Sequence, residues 1–210
     1  MTKYKILIVL LFPLCIFSQT KLDENVAISF PGKSETIENI TKEAKLKAFY
    51  FNSNEDSYIA MRVQALINNG LPQSTKELQK DYTLLAKDQL KHLALKGLFL
   101  KDSMPVKFKN YLAYKLILKG KDSEEENGES LILYLNGIAY NFIYSKVQSY
   151  DIVAKERFLN SIKITHSEKI IQIEEPYNYL KELSELLLCG LVLFFIRWYK
   201  KRRNNTNRVK

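Results

Sequence analysis

Cysteine is nearly absent from this chain, with two in 210 residues. Cys15 and Cys189 both fall inside apolar runs close to the two ends. The long middle part therefore has no thiol, which excludes a disulfide framework, a cysteine nucleophile and a thiolate metal site there.

Histidine is equally scarce, because His92 and His166 are the only two. His92 has no Asp, Glu or His at a ligand spacing that would make a strong metal motif, and His166 follows the final strand, so we predict no metal and place both histidines on the surface. The sequence has no G-x-S-x-G motif, the pattern that places a nucleophilic serine at the strand-to-helix turn of an α/β-hydrolase. A serine triad assembled from distant residues stays open. We predict no catalytic residue and no cofactor.

A partial phosphate-binding motif is present at Gly32-Lys33-Ser34. The complete P-loop needs a glycine five residues before Gly32, where this chain has Ala27. We interpret Pro31-Gly32 as a turn after a strand.

Acidic residues cluster in one polar stretch, Gly120 to Glu129. They lack the alternating ligand spacing of a calcium loop. The sequence predicts a solvated hairpin tip whose carboxyl groups are too exposed for a usefully shifted pKa. The cluster comprises Asp122, Glu124, Glu125, Glu126 and Glu129.

Long apolar runs occur only at the ends. Leu186–Ile196 has no polar side chain and is followed by Arg197, Trp198 and Tyr199. Aromatic residues and a basic flank suit a membrane boundary, so residues 183–199 are predicted to form a transmembrane helix, with a cytoplasmic tail at 200–210. The alternative is a hydrophobic helix docked on the preceding domain.

The N-terminus has the pattern of a secretory signal. Lys3 and Lys5 precede the apolar run Ile6–Phe17, and Ser18 offers a small residue for cleavage. We predict a signal peptide over 1–18, which would become a second anchor if it is retained. With the signal cleaved, the chain would be a single-pass cell-membrane protein with its folded domain in the periplasm or otherwise outside the cytoplasm.

The net charge of +9 comes from the two ends. Seven basic residues lie within 197–210 and two precede the signal run, and the remainder holds 23 basic and 23 acidic side chains. A neutral domain does not favour nucleic acid as a partner. The predicted partners are membrane lipid, through the C-terminal span, and an envelope protein.

The middle of the chain predicts one α+β domain, residues 19–165, followed by a juxtamembrane connector at 166–182. Period-two patterns indicate strands before residue 66 and again after Pro105, including one over Phe108–Leu118. Ser74 and Glu77 fit a capping box that opens a long helix ending near Gly97. Asn136-Gly137 favours a two-residue hairpin turn. We therefore expect an antiparallel sheet, with the long central helix and a C-terminal helix near 149–160 packed on it.

Aromatic residues are the one unusual abundance, with 13 Tyr and 11 Phe. Many fall in predicted strands, where alternate side chains face opposite sides of the sheet. Core and cross-strand pairing is the simpler interpretation. The alternative is an aromatic surface for a peptide, glycan or lipid.

Three stretches carry a resemblance to a known family. They are AISFPGKSETI near the start of the domain, GIAYNFIYSK after the hairpin turn, and AKERFLNSIKI at the end. Together with the order of elements over Val26–Thr165, they resemble exported domains of the PsbP-like and DcrB-like type. That resemblance implies an antiparallel sheet packed between helices and a non-enzymatic binding, assembly or accessory role. The predicted C-terminal span departs from the usual family pattern.

The leading functional expectation is a membrane-anchored, extracytoplasmic, non-catalytic binding or assembly module of the cell envelope. One alternative is an envelope hydrolase with an unrecognised active site. Another is a small subunit of a membrane protein complex that packs through Gly190, because close helix packing prefers small residues.

Overall fold

A computed structural model describes residues 18–53, 55–66, 70–146 and 150–174. The predicted transmembrane helix at 183–199, the tail at 200–210 and all of the signal segment except Ser18 lie outside these ranges. Within them, no helix combines the length and the apolar character needed to cross a membrane.

The described residues form an α+β fold, as predicted. The helices are α1 (Thr75–Ala94) and α2 (Ile152–Asn160), followed by a short 3₁₀ turn at Ser167–Lys169. The strands are β1 (Ser18–Lys21), β2 (Val26–Phe30), β3 (Glu35–Ile40), β4 (Ala44–Asn52), β5 (Asp56–Ala65), β6 (Leu98–Phe108), β7 (Tyr111–Gly120), β8 (Glu126–Leu135), β9 (Ile138–Lys146) and β10 (Lys163–Ile164).

Seven strands build the main sheet in the order β3-β4-β5-β9-β8-β7-β6, and every pairing is antiparallel. Helix α1 packs on one face, mainly over β6, β7 and β8. Helix α2 packs on the other face together with a small sheet of order β1-β2-β10. The main sheet therefore has a separate apolar core on each face.

The β8–β9 hairpin forms where Asn136-Gly137 predicted it. Both turn residues have positive φ, 51° at Asn136 and 77° at Gly137, which is the type I′ geometry. The turn pairs Leu135 with Ile138. Asparagine and glycine are the residues that adopt this conformation at least cost.

Helix α1 begins at the predicted cap. The Ser74 hydroxyl accepts the Glu77 backbone N–H at 3.2 Å. The Glu77 carboxylate returns to the backbone N–H of Gln73 at 2.8 Å, one residue before the position expected of a capping box.

The prediction of one strand over Phe108–Leu118 was wrong at its start. A turn at Lys109 and Asn110 separates β6 from β7. Lys109 takes a φ of 55° in a turn that has neither glycine nor proline to announce it. Pro105 fits within β6 because β6 is an edge strand, where a missing backbone donor is tolerated.

The segment after β10 is bonded into the domain as far as Glu174. The Glu174 backbone N–H donates to the Pro72 carbonyl at 2.9 Å, and the Ile171 backbone N–H donates to Asn136 Oδ1 at 2.8 Å. The sequence prediction ended the domain at Thr165 and began a connector at 166. The structure instead shows domain contacts through the first part of that connector.

One of these contacts is the Gln172 bridge. The β7–β8 pairing ends at Ala113 and Leu133, and the Gln172 side chain lies between the next two residues, Leu112 and Tyr134. Its Oε1 accepts the Leu112 N–H at 2.8 Å, and its Nε2 donates to the carbonyls of Leu112 at 2.8 Å and Tyr134 at 3.0 Å. The Tyr82 hydroxyl bonds the same two residues, since it donates to the Leu112 carbonyl at 2.7 Å and accepts the Tyr134 N–H at 3.1 Å. Two side chains, Gln172 and Tyr82, thus replace a missing rung of the sheet.

Several of the tyrosines serve the core. Tyr58, Tyr140 and Tyr144 are buried in the core on the α2 side of the main sheet, and Tyr82 of α1 is buried on the other face. Burial raises the pKa of Tyr82 to about 12. Burial, followed by the nearby charges of Asp56 and Asp151, raises the pKa of Tyr58 to about 12.

These pKa values predict alkaline instability. Unfolded tyrosine loses its proton near pH 10, whereas the folded groups keep theirs. Their contribution to stability is therefore complete below about pH 10 and is lost as the pH rises towards 12. Denaturant unfolding followed by circular dichroism from neutral pH to pH 12 should show this decline, with a shallower slope for Tyr58→Phe. An unchanged slope in that variant would contradict the assignment.

Candidate binding groove

A groove forms because one helix cannot cover a seven-stranded face. Neighbouring strands lie about 4.8 Å apart and a helix is about 10 Å wide, so α1 covers roughly two or three strands. It packs mainly over β6, β7 and β8, whereas β4 and β5 on the same face meet only its flank. The cavity between that flank and the sheet has a volume of about 450 Å³.

The sheet side of the groove is aliphatic. Alternate residues of β5 point into it, and β4, β8 and β9 contribute the neighbouring side chains. The apolar residues on this side are Leu46, Ile59, Met61, Val63, Ile132 and Ile143. Those from β4 and β5 are only half-buried, so an apolar strip of the sheet remains partly open to solvent.

The helix side adds two apolar residues and a polar rim. Leu85 and Leu93 face the sheet. Asp88 and His92, four residues apart on α1, and Lys96, in the turn that follows α1, form the polar rim of the groove. The hydrogen bond from Lys91, at 2.8 Å, lowers the pKa of Asp88.

A buried polar chain crosses the floor of the groove. Gln89 Nε2 donates to Ser130 Oγ at 2.8 Å, and Ser130 Oγ donates to Asn141 Oδ1 at 2.7 Å. Gln89 is 8% exposed and Ser130 is fully buried. Gln89 Oε1 is buried without a hydrogen-bond partner. The groove therefore combines aliphatic walls with one unsatisfied acceptor.

Sequence reasoning did not single out Gln89, although a signal was present. The buried residues of α1 are Leu78, Tyr82, Ala86, Gln89 and Leu93. Their spacing follows the helical period, and Gln89 is the amide in an otherwise apolar or aromatic stripe. A polar residue at a core position is the pattern that marks a buried hydrogen-bond network.

The two histidines lie apart and are exposed. His92 is on the groove rim, and His166 precedes the 3₁₀ turn with Nδ1 3.7 Å from the Glu168 carboxylate. Among the described residues, no three His, Cys, Asp or Glu side chains are grouped so as to hold a metal ion.

The acidic stretch is only partly the exposed tip that the sequence predicted. Asp122, Glu124 and Glu125 are exposed. The prediction was wrong for Glu129, which is 6% exposed. The physical reason is that β8 begins at Glu126, so Glu129 lies in a central strand and points under α2.

Glu129 is held there by two lysines. Its carboxylate oxygens lie 3.1 Å from Lys115 Nζ of β7 and 3.1 Å from Lys155 Nζ of α2. The Lys155 ammonium also lies 5.6 Å from the centroid of the Tyr150 ring. The network ties α2 to the sheet.

Gly32 has a packing role in the turn that follows β2. A Cβ at this position would approach the ring of Phe51 to 2.5 Å. The glycine of the partial phosphate motif is thus required by the contact between this turn and β4.

The structure brings together Gln89 and the half-buried apolar side chains of β4 and β5, which include Met61. Their arrangement can enclose an apolar molecule. No protein-family model matches the chain, and no curated protein matches it. The resemblance to PsbP-like and DcrB-like domains stays a prediction.

Proposed function

We propose that this chain is a membrane-anchored, extracytoplasmic binding module of the cell envelope. It holds an apolar ligand in the groove between α1 and the sheet and performs no chemistry on that ligand. The observation that carries the proposal is the aliphatic groove of about 450 Å³. Ligand sites are typically concave, mostly apolar and a few hundred cubic ångströms in volume.

The half-buried residues of β4 and β5 support a ligand rather than a permanently bare surface. Leu46, Ile59, Met61 and Val63 are adjacent across the two strands, since Leu46 pairs with Val63. Covering such a strip removes apolar area from water, at roughly 25 cal/mol per Å². A contiguous exposed apolar strip beside a polar rim is typical of a binding site.

The membrane anchor and the cellular location are proposed from the sequence. The apolar run Leu186–Ile196 and the basic tail behind it favour a C-terminal span with a cytoplasmic end. The run Ile6–Phe17 favours export of the domain. The groove would then lie outside the cytoplasm.

The groove is tested by labelling the full chain, in lipid nanodiscs, with a photoreactive long-chain alkane. Cross-links should map to β5 and α1. Met61→Glu should reduce labelling by about tenfold, because a carboxylate in the groove would be desolvated by an apolar ligand. Met104→Glu on the edge strand β6 is the matched control. Labelling that is spread evenly over the chain, or unchanged by Met61→Glu, would refute the groove as the site.

The topology is tested separately with reporters. A reporter that functions only in the cytoplasm should be active when fused after Lys210. The same reporter fused after Glu174, in place of residues 175–210, should be inactive. Activity of an extracytoplasmic reporter after Lys210 would contradict the proposed orientation.

A further inference from the structure

We infer that two copies of this chain pair edge to edge through β3 and continue the main sheet across a two-fold axis. Three features of β3 carry this: its open edge, the direction of its backbone groups and the pattern of its side chains. The pairing does not depend on what the groove binds.

Strand β3 is an open edge of the main sheet. Within the described residues it pairs with β4 alone, and all six of its residues are exposed. Two of them are large and apolar, since Ile37 is 53% exposed and Ile40 is 65% exposed. An edge strand offers unpaired N–H and C=O groups to another strand unless something blocks it.

The opposite edge, β6, is blocked, and this limits the assembly to two copies. Pro105 lies inside β6, and the β6–β7 register shifts between Leu100 and Asp102. Proline and such irregularities keep an edge strand from pairing, and β3 has neither. Pairing of β3 with β3 closes a dimer, whereas pairing of β3 with β6 would continue into a filament.

The backbone of β3 restricts the register of this pairing. The Thr41 N–H donates to the Ala44 carbonyl at 2.9 Å, where β3 turns into β4. Backbone groups alternate along a strand, so the odd-numbered residues of β3 bond to β4 and the even-numbered residues direct their N–H and C=O groups outward. A second copy therefore aligns even-numbered residues with even-numbered residues, which places the two-fold axis on one residue of β3.

Side-chain chemistry selects Ile37 as that residue. Strand β3 spans Glu35–Ile40, so an axis at Ile37 or at Glu38 gives the longest overlap. An axis at Glu38 would set two carboxylates directly opposite each other, which is destabilising. An axis at Ile37 sets the two Ile37 side chains together and aligns Thr36 with Glu38 of the second copy, with about four backbone hydrogen bonds. The Glu38 charge is already matched within its own copy by Lys47 Nζ at 2.6 Å.

The same register extends the apolar strip of the groove face. Ile37 pairs with Ala48 of β4, and Ala48 pairs with Met61 of β5. Cross-strand partners lie on one face of a sheet, so Ile37 shares the face of the groove residue Met61. Contact between the two Ile37 side chains removes exposed apolar surface from water.

The register is tested by cysteine cross-linking of the full chain in detergent micelles, with Cys15→Ser and Cys189→Ser in every variant. Ile37→Cys should form a disulfide dimer under mild oxidation, because Cα atoms of a non-hydrogen-bonded antiparallel pair lie about 4.5 Å apart, within disulfide range. Ile40→Cys is the matched control, since Ile40 is the more exposed residue. Its two copies would lie roughly 20 Å apart along the paired strands, so it should give about tenfold less dimer.

Proline tests the backbone bonds. Glu38→Pro removes an outward N–H and leaves the bonds to β4 in place, so the full chain should change from dimer to monomer in sedimentation analysis while its circular dichroism is retained. Glu38→Ala keeps the N–H and should remain a dimer. A monomeric unmodified chain, or equal cross-linking of Ile37→Cys and Ile40→Cys, would overturn the pairing. A dimer that survives Glu38→Pro would also overturn it and would place the contact elsewhere in the chain.

Discussion

Replacing Gln172 with alanine should lower the free energy of unfolding by about 2–4 kcal/mol. The change removes the bridge between β7 and β8, so the Leu112 N–H loses its acceptor and the Tyr134 carbonyl loses its donor. A fully buried backbone group left unpaired costs about 1–3 kcal/mol, and these two groups are partly buried, which places the cost of each at about 1–2 kcal/mol. Tyr82 cannot compensate, since its hydroxyl already donates to the Leu112 carbonyl and accepts the Tyr134 N–H.

Urea unfolding of the unmodified chain and of the Gln172→Ala variant measures this effect. Gln79→Ala is the matched control, because Gln79 is exposed on α1 and its loss should change stability by less than about 0.5 kcal/mol. A chain ending at Thr165 should be destabilised at least as much as Gln172→Ala, whereas a chain ending at Glu174 retains the bridge. A loss below about 0.5 kcal/mol for Gln172→Ala would show that the bridge contributes little.

Replacing Glu129 with alanine should cost about 3 kcal/mol, because it leaves two partly buried lysines without their shared carboxylate. The Lys155 side chain is only 14% exposed, so water replaces the lost partner poorly. The Lys115 side chain is 29% exposed, which places the cost towards the lower end of the range for broken buried ion pairs.

A double-mutant cycle separates the ion pair from packing. Glu129→Ala combined with Lys155→Met should be less destabilised than the sum of the single variants, because the second change removes the orphaned charge. Glu124→Ala is the surface control. The Glu124 side chain is 86% exposed beside Lys119, so its loss should cost less than about 0.5 kcal/mol. Strict additivity in the Glu129 cycle would contradict coupling between the two residues.

The local parts of the fold were predictable from the sequence. Asn136-Gly137 and the Ser74 cap act through their own backbone conformation or through residues a few positions away, so the local pattern contains the necessary information. The β6–β7 turn was missed because Lys109 adopts its positive φ without a residue type that signals it.

The candidate site was not predictable because its partners are distant in sequence. Gln89 meets Ser130 across 41 residues, and Lys155 meets Glu129 across 26. Sheet order decides these contacts, and β9 lies beside β5 while α1 and three strands separate them along the chain. The groove itself forms because a single helix is too narrow to cover seven strands, and no local sequence motif indicates this.

The small sheet joins the two ends of the domain, and this has a consequence for how the chain folds. Strand β10 pairs with β2, and the Ser161 hydroxyl accepts the Ser29 backbone N–H across 132 residues. Contacts of such long sequence separation are slow to form, because a large loop must close first. Strands β1 and β2 are synthesised early and must wait for the last strand before their sheet is complete. Completion of the small sheet therefore requires the last strand, and the N-terminal strands are exposed to wrong pairing until it is present.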